Sequence, residues 1–353
     1  MPKWFNYSWT QGILPSSLKS LYLGYYFDQP LLPGMLPTSL TSLELGRNFN
    51  QELPPGVLPA SLKVLIFERY CLFNRPLVPG SLPDSLTRLE IGENFSHPII
   101  AGTLPSSLTT LTLGMTKEDS LVQSGQLPDS INTLCLGPGW TSGRIKYPQS
   151  LTSLKMSFWR GSFNKEYPLP PTLQTLVINN NKTIPSGTLP ESITSLDLGY
   201  SHESALTEGV LPSNIKMLKM GHLYKLKAKE TVLPDGLTHL EIDRYRQLTY
   251  VPKRLEYLHI HEQSNAKFGV KSLSSHIGTL SLRAEVPKLN RRGNNNRQAE
   301  FMESVVASIP NVITYNVVFQ LSRNNHIRHI TVQCRQVDNR HAICLVRCGL
   351  NLY

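Results

Sequence analysis

From residue 14 to residue 282 the chain repeats one pattern of apolar and polar positions, and Leu36 to Gly46, LPTSLTSLELG, is a clear copy of it. Thirteen copies begin between Leu14 and Leu273, spaced 18 to 24 residues apart and clustered at 22. The eighth position is leucine in every copy, the fifth is Leu or Ile, and the tenth is large and apolar, from Leu23 through Phe67 and Met156 to Leu282. Positions eight and ten are two apart, so an extended chain points both to one face and sends positions seven and nine to the other. Each copy therefore predicts one short strand, buried on one side. One coil buries about four apolar side chains at roughly 1.5–3 kcal/mol each, against an ordering cost of ~1–2 kcal/mol per residue, so it cannot fold alone. Stacked coils share that burial and let their strands pair as one parallel sheet, which makes the chain a solenoid.

The polar letters between the strands predict the turns. Proline at the second position, present in twelve copies, suits the second corner of a type I turn, with Ser or Thr at the fourth position bonding back to that turn. Eight copies are preceded by a glycine two residues before the first leucine, three times as Pro33-Gly34, Pro55-Gly56 and Pro79-Gly80. Pro-Gly is the central pair of a type II turn, where glycine supplies the positive φ. A coil of ~22 residues with one strand and two turns has no room for a long helix. The return arm is therefore expected to be extended or a short 3₁₀ piece.

The period also reaches backwards. Phe27-Asp28, Phe49-Asn50, Phe73-Asn74 and Phe95-Ser96 each place phenylalanine nine residues before the next copy, and Phe5-Asn6 stands nine before Leu14. Recurrence in successive coils predicts a ring stack inside the solenoid, with the amides bonded to neighbouring backbone. The chain is thus expected to open mid-coil, with Met1 to Tyr7 as cover for the first coil. Three regions follow: 1–13 as a partial coil and N-terminal cap, 14–284 as thirteen repeats, and 285–353 as a small α+β C-terminal cap. In that cap residues 288–297 read as a polar loop, and 298–308 as a helix carrying Phe301, Val305 and Ile309 at helical spacing. Val312 to Phe319, Ile327 to Cys334 and Ile343 to Cys348 read as strands, the last two joined at Asp338-Asn339.

The unit LPxSLxxLxLGxxFNxPLxPG resembles the FNIP repeat, a variety of leucine-rich repeat, through strings such as Phe73-Asn74-Arg75-Pro76-Leu77, Phe27-Asp28-Gln29-Pro30-Leu31 and Phe95-Ser96-His97-Pro98-Ile99. The likeness covers roughly residues 5–284, and the Phe-Asn half erodes from Met115 onward. The resemblance implies a horseshoe-like leucine-rich-repeat solenoid, mainly β, acting as a protein-interaction scaffold. Many such proteins carry an N-terminal F-box and act as substrate receptors of ubiquitin ligases. Residues 1–5 leave no room for one, so that role would survive only as the substrate-reading half.

Composition narrows the partner. An apolar content of 40% is thin for one large core but adequate for a solenoid. The formal charge of +10 is uneven: residues 1–140 carry −2, 141–284 carry +7 and 285–353 carry +5. The basic half supports an alternative role as an anion or nucleic-acid binder through Lys225, Lys227, Lys229, Arg291, Arg292 and Arg297. Five cysteines without a CxxC pair argue against a disulfide framework or zinc module, and Cys334, Cys344 and Cys348 read as buried free thiols. The start MPKWFNYSW lacks a secretory h-region, and no run of ~18 apolar residues could span a bilayer. A cytoplasmic or nuclear setting is therefore expected, without membrane contact.

Candidate function then falls to the letters the scaffold leaves free on the outward sheet face and its bordering turns. In the first coils these are Tyr22, Tyr25, Ser42, Glu44, Arg47, Val64, Ile66, Glu68, Arg69, Arg88 and Glu90, apolar groups rimmed by charge and suited to an unidentified protein partner. Farther on, Asp197, Lys219, Glu241 and His259 form an expected charge ladder. Glu241, Asp243, His259 and His261 give a candidate site for a divalent metal. No nucleophile elbow, Walker loop, HExxH or dinucleotide fingerprint occurs, so neither catalysis nor a cofactor is indicated.

Overall fold

A strand with a turn on either side recurs through the computed structural model, at the predicted places. The structure describes residues 1–114, 127–138, 145–156, 163, 168–179, 182–200, 206–221, 233–243, 252, 254–261, 276–285, 305, 312–323, 326–336 and 342–350. The chain divides into two compact units, Met1–Ser192 and Ile193–Tyr353.

The first unit holds β1 (Ser20–Leu23), β2 (Ser42–Leu45), β3 (Val64–Phe67), β4 (Arg88–Ile91), β5 (Thr110–Leu113), β6 (Thr133–Leu136), β7 (Ser153–Met156) and β8 (Thr175–Ile178). Each pairs in parallel with the next. The register sets the eighth position of every coil against the eighth of its neighbour, as in Leu21, Leu43, Leu65 and Leu89. In all eight strands the eighth and tenth positions are buried and the seventh and ninth are not. The fifth position seals the other wall: Leu40, Leu62, Leu86 and Leu108 are fully buried.

Phe5, Phe27, Phe49, Phe73 and Phe95 form the predicted column, with centroids 6.0–6.2 Å apart and rings within 19° of parallel. Beside it runs a polar ladder. The side-chain oxygen of Asn6, Asp28, Asn50 and Asn74 accepts the backbone N–H of Asp28, Asn50, Asn74 and Ser96 in turn, at 2.9–3.0 Å. Phe5 and Asn6 take the first places in both. The Met1 amino group donates to the Tyr22 carbonyl, and Tyr26 N–H to the Lys3 carbonyl.

The Pro-Gly turns are as expected. Gly34, Gly56 and Gly80 have φ of 82°, 86° and 85°, and the closing bonds run from Met35 to Leu32, Val57 to Pro54 and Ser81 to Val78. Two other turn expectations need correction. The second-position proline is the first residue of its turn, not the second corner: Leu40 N–H donates to the Pro37 carbonyl, and Leu62 N–H to that of Pro59. The fourth-position hydroxyl does not bond back to its own turn. Ser39, Ser61, Ser85 and Ser107 instead donate to the carbonyls of Leu18, Leu40, Leu62 and Leu86 in the preceding coil, at 2.6–2.7 Å. A coil whose carbonyls need partners takes them from its neighbour. Return arms are extended segments and turns; no 3₁₀ piece occurs among the described residues.

The second unit holds β9 (Ser195–Asp197), β10 (Met217–Met220), β11 (His239–Ile242), β12 (Arg254–Ile260), β13 (His276–Glu285), β14 (Val312–Arg323), β15 (His326–Gln336) and β16 (Ala342–Leu350). Strands β9 to β14 pair in parallel, and β14, β15 and β16 pair antiparallel. The three tail strands therefore extend the sheet of this unit edgewise. Of the expected helix over 298–308, only Val305 falls within the described residues, where it is helical and fully buried.

Candidate functional site

On a parallel sheet each outward side chain is flanked by one strand on either side at ~4.8 Å, so even a surface residue is partly covered. In the first unit this brings the predicted candidates into one contiguous face: Tyr22, Glu44, Ile66 and Glu90 are neighbours in register, with Ser42, Val64 and Arg88 one row away. Tyr22, Tyr25, Val64 and Ile66 are half-buried rather than exposed.

The charges on this face are mostly paired. The Tyr22 hydroxyl donates to Glu68 Oε1 at 2.8 Å, and burial together with that carboxylate pushes the phenol up to about 12. Arg88 Nε donates to Glu90 Oε1 at 2.8 Å. Arg69 Nε meets Glu93 Oε1 at 2.6 Å, which raises the already high basicity of the guanidinium. Arg47 stands between two rings, its Cζ 5.7 Å from the Tyr25 centroid and 6.0 Å from that of Tyr70. Lys3 Nζ lies 5.0 Å from Tyr25, and Arg69 Cζ 5.2 Å from Tyr70. A band of alternating cations and tyrosines thus borders the acidic row, each contact worth ~0.5–1 kcal/mol at an exposed site. Glu44 is the exception in the acidic row. Its carboxyl is raised above the usual range by burial and by the nearby charges of Glu68 and Glu90.

Sequence reasoning missed a second surface. Three of the large exposed aliphatic side chains of these coils, Leu32, Val78 and Ile100, at 59%, 40% and 46% exposure, lie on the return arm rather than the sheet. With Pro54 they occupy the position four before each first leucine, followed by exposed Pro33, Pro55, Pro79 and Ala101. The signal was present, because that position is apolar in four consecutive coils.

In the second unit the predicted ladder is a longer chain with a different end. Lys219 Nζ lies 4.0 Å from Asp197 Oδ2 and 2.9 Å from Glu241 Oε1. Glu241 stands opposite His259 in register, yet its Oε1 meets Nε2 of His261 at 2.5 Å, the diagonal neighbour. Nδ1 of His261 faces Nε2 of His259 at 3.2 Å, and Nδ1 of His259 lies 3.5 Å from the Tyr257 hydroxyl. Both ring nitrogens of His261 are therefore engaged by neighbours. Among the described residues no group of three or more His, Cys, Asp or Glu side chains is gathered to hold a metal ion, so the four-residue metal centre at Glu241, Asp243, His259 and His261 is not assembled.

The bond to His261, and secondarily the ammonium of Lys219, hold the Glu241 carboxyl down at about 2 against the burial that opposes them. A carboxyl depressed on folding contributes stability that is full above ~4.5 and is lost as pH falls from there towards ~2. Wild type is thus expected to melt above Glu241→Gln at pH 5–6, with the gap closing as the pH approaches 2. Melting curves at stepped pH check this, and a constant gap would remove Glu241 from the account.

The cysteine expectation is corrected in the tail. The β15–β16 register sets Cys334 opposite Cys344, because five residues separate the two strands, one more than a turn centred on Asp338-Asn339 would leave. Cys334 is disulfide-bonded rather than a free thiol. Cys71 is free and buried, its thiol pushed up to about 12 by burial, and Cys135 is free. Lys225, Lys227, Lys229, Arg291, Arg292 and Arg297 lie outside the described residues. Among the described residues no helix is long and apolar enough to cross a membrane.

Comparison with known proteins agrees with this geometry. The FNIP Repeat family matches at residues 5–48, 27–70, 73–116 and 180–223. Among solved structures the chain is similar to CroV588, a giant-virus protein described as a novel circular LRR protein, with 28% sequence identity and a TM-score of 0.55. The match covers 83% of this chain and 50% of that one, so the chain spans about half the length of this neighbour. No curated protein matches the sequence.

Proposed function

From a chain that carries FNIP repeats on a leucine-rich-repeat solenoid, we propose a non-enzymatic protein-interaction scaffold that reads its partner through the outward sheet face of the first unit. Repeat solenoids of this type commonly serve as interaction scaffolds. One observation carries the assignment to the face. Positions eight and ten are sealed in all eight strands of the unit, whereas positions seven and nine stay accessible and change letter from coil to coil. A constant frame that displays a variable, partly apolar and charged grid has the composition of a recognition surface. Tyr22, Glu44, Ile66 and Glu90 form its central row, bordered by Tyr25, Arg47, Glu68 and Arg69.

The test is a substitution the fold tolerates and a partner does not. Ile66 lies between Glu44 and Glu90 in register, so Ile66→Arg places a cation between two carboxylates while changing shape and charge at the centre of the face. Affinity purification of the tagged full chain from its native cells should recover a protein partner, and Ile66→Arg should lower that recovery at least tenfold with its melting temperature kept within a few degrees. An unchanged partner set with Ile66→Arg would overturn the assignment.

A further inference from the structure

We infer that the second coil of the sheet face reads a doubly charged segment of its partner, a basic side chain seated against Glu44 and an acidic one against Arg47. This rests on the sheet face being the reading surface and specifies what is read there.

The inference starts from which charges are satisfied. Around the second coil Arg88 is paired with Glu90, Arg69 with Glu93, and Glu68 accepts the Tyr22 hydroxyl. Glu44 and Arg47, three residues apart on one coil, differ from all of these. Among the described residues the Glu44 carboxylate takes part in no hydrogen bond or ion pair. The Arg47 guanidinium makes cation–π contacts with Tyr25 and Tyr70 and no ion pair. Neither group uses the other.

Each is nevertheless prepared for an opposite charge. Glu44 is partly buried among Glu68 and Glu90, so its negative potential is reinforced rather than neutralised, which favours a cation brought from outside. Arg47 is steadied over two ring faces while its planar fork of N–H donors stays unengaged, the geometry that suits a carboxylate. Glu44 stands in β2 and Arg47 in the turn that follows it, three positions on, so the matching charges of the partner stand within ~10 Å of each other, two or three residues apart in an extended segment. Half-buried Ile66 and Val64 lie beside Glu44 and Ser42 and supply apolar contact next to the charged pair.

The experiment uses the full chain and a phage-displayed library of random twelve-residue peptides, selected and counter-selected at 0.15 M salt. The expected result is enrichment of peptides carrying Lys or Arg two to three residues from Asp or Glu. These should bind the wild-type chain about 10-fold more tightly than Gln/Asn analogues of the same peptides, and lose that advantage with Glu44→Gln or Arg47→Gln. Peptides that are enriched and lost with Ile66→Arg but show no charge pair would overturn this inference while leaving the sheet face as the reader. Enrichment of purely apolar peptides that Ile66→Arg does not affect would point to the Leu32, Val78 and Ile100 ribbon and overturn both. Recovery of no peptide above background would also overturn both. Glu44→Gln and Arg47→Gln sit on the surface, and circular dichroism of each variant confirms that the comparison is between folded chains.

Discussion

Phe73→Ala is expected to lower the unfolding free energy of the first unit by about 3–5 kcal/mol, the range of a buried Phe→Ala change in a core that cannot close the gap. The ring is 1% exposed and sits in the middle of the column, 6.2 Å from Phe49 and 6.0 Å from Phe95, with Phe67 4.3 Å away. Alanine leaves a void between two coils whose spacing is fixed by strand pairing on one side and the Asn50 to Asn74 to Ser96 ladder on the other. Neither can move to fill it. Coils in a solenoid are stabilised by their neighbours, so the loss is felt on both sides of the third coil. Urea unfolding followed by circular dichroism reads the effect as a lower midpoint. A loss under ~1 kcal/mol would show that the column is not a continuous core.

Gly46→Ala is expected to cost nearly as much, about 3 kcal/mol, for a different reason. A methyl group at residue 46 would stand 2.3 Å from the Gly24 carbonyl oxygen and 2.6–2.7 Å from further backbone of the preceding coil. Those atoms are held in the sheet ladder, with Gly46 N–H donating to the Leu23 carbonyl at 2.9 Å, so the clash is resolved only by separating coils. Gly56 is the control. Its φ is +86° and nothing lies within 4 Å of a built Cβ, so Gly56→Ala meets only the left-handed backbone penalty of roughly 1–2 kcal/mol. Thermal unfolding of the two variants side by side should rank Gly46→Ala well below Gly56→Ala. The opposite order would mean that the close approach of coils at position eleven is not a constraint.

The fold was legible wherever one residue's environment repeats. Leu43 and Leu45 are buried because a two-residue alternation is all that a half-covered strand requires, and Pro33-Gly34 makes its turn because Gly34 takes the positive φ. Contacts between coils were not legible, because they depend on a neighbour ~22 residues away. Ser39 bonds to Leu18, and Gly46 abuts Gly24, through a stacking geometry that no local pattern contains. The one-residue shift at Cys334 has the same origin: the length of the β15–β16 connection decides which residue faces it, and Asp338-Asn339 had suggested a shorter turn.

At the candidate site, identities were readable and relationships were not. The first coils' letters already singled out Glu44, Arg47 and Ile66. Which of the charges pair is a matter of side-chain direction: Arg69 reaches Glu93, Arg88 folds onto Glu90, and Arg47 turns between Tyr25 and Tyr70. The exposed apolar ribbon was not legible because its residues open the turn before each repeat, outside the two-residue alternation that separates inward from outward positions.

These two surfaces give the most direct test, since each carries its own carboxylate. Glu44 lies on the sheet face, and Glu52 is exposed on the return arm beside Pro54. Carbodiimide labelling of the full chain, free and with its captured partner, followed by mass spectrometry, reads both in one sample. The account predicts that the partner protects Glu44 and leaves Glu52 labelled as in the free chain. Protection of Glu52 with Glu44 still reactive would contradict it and move the reading surface to the return arm.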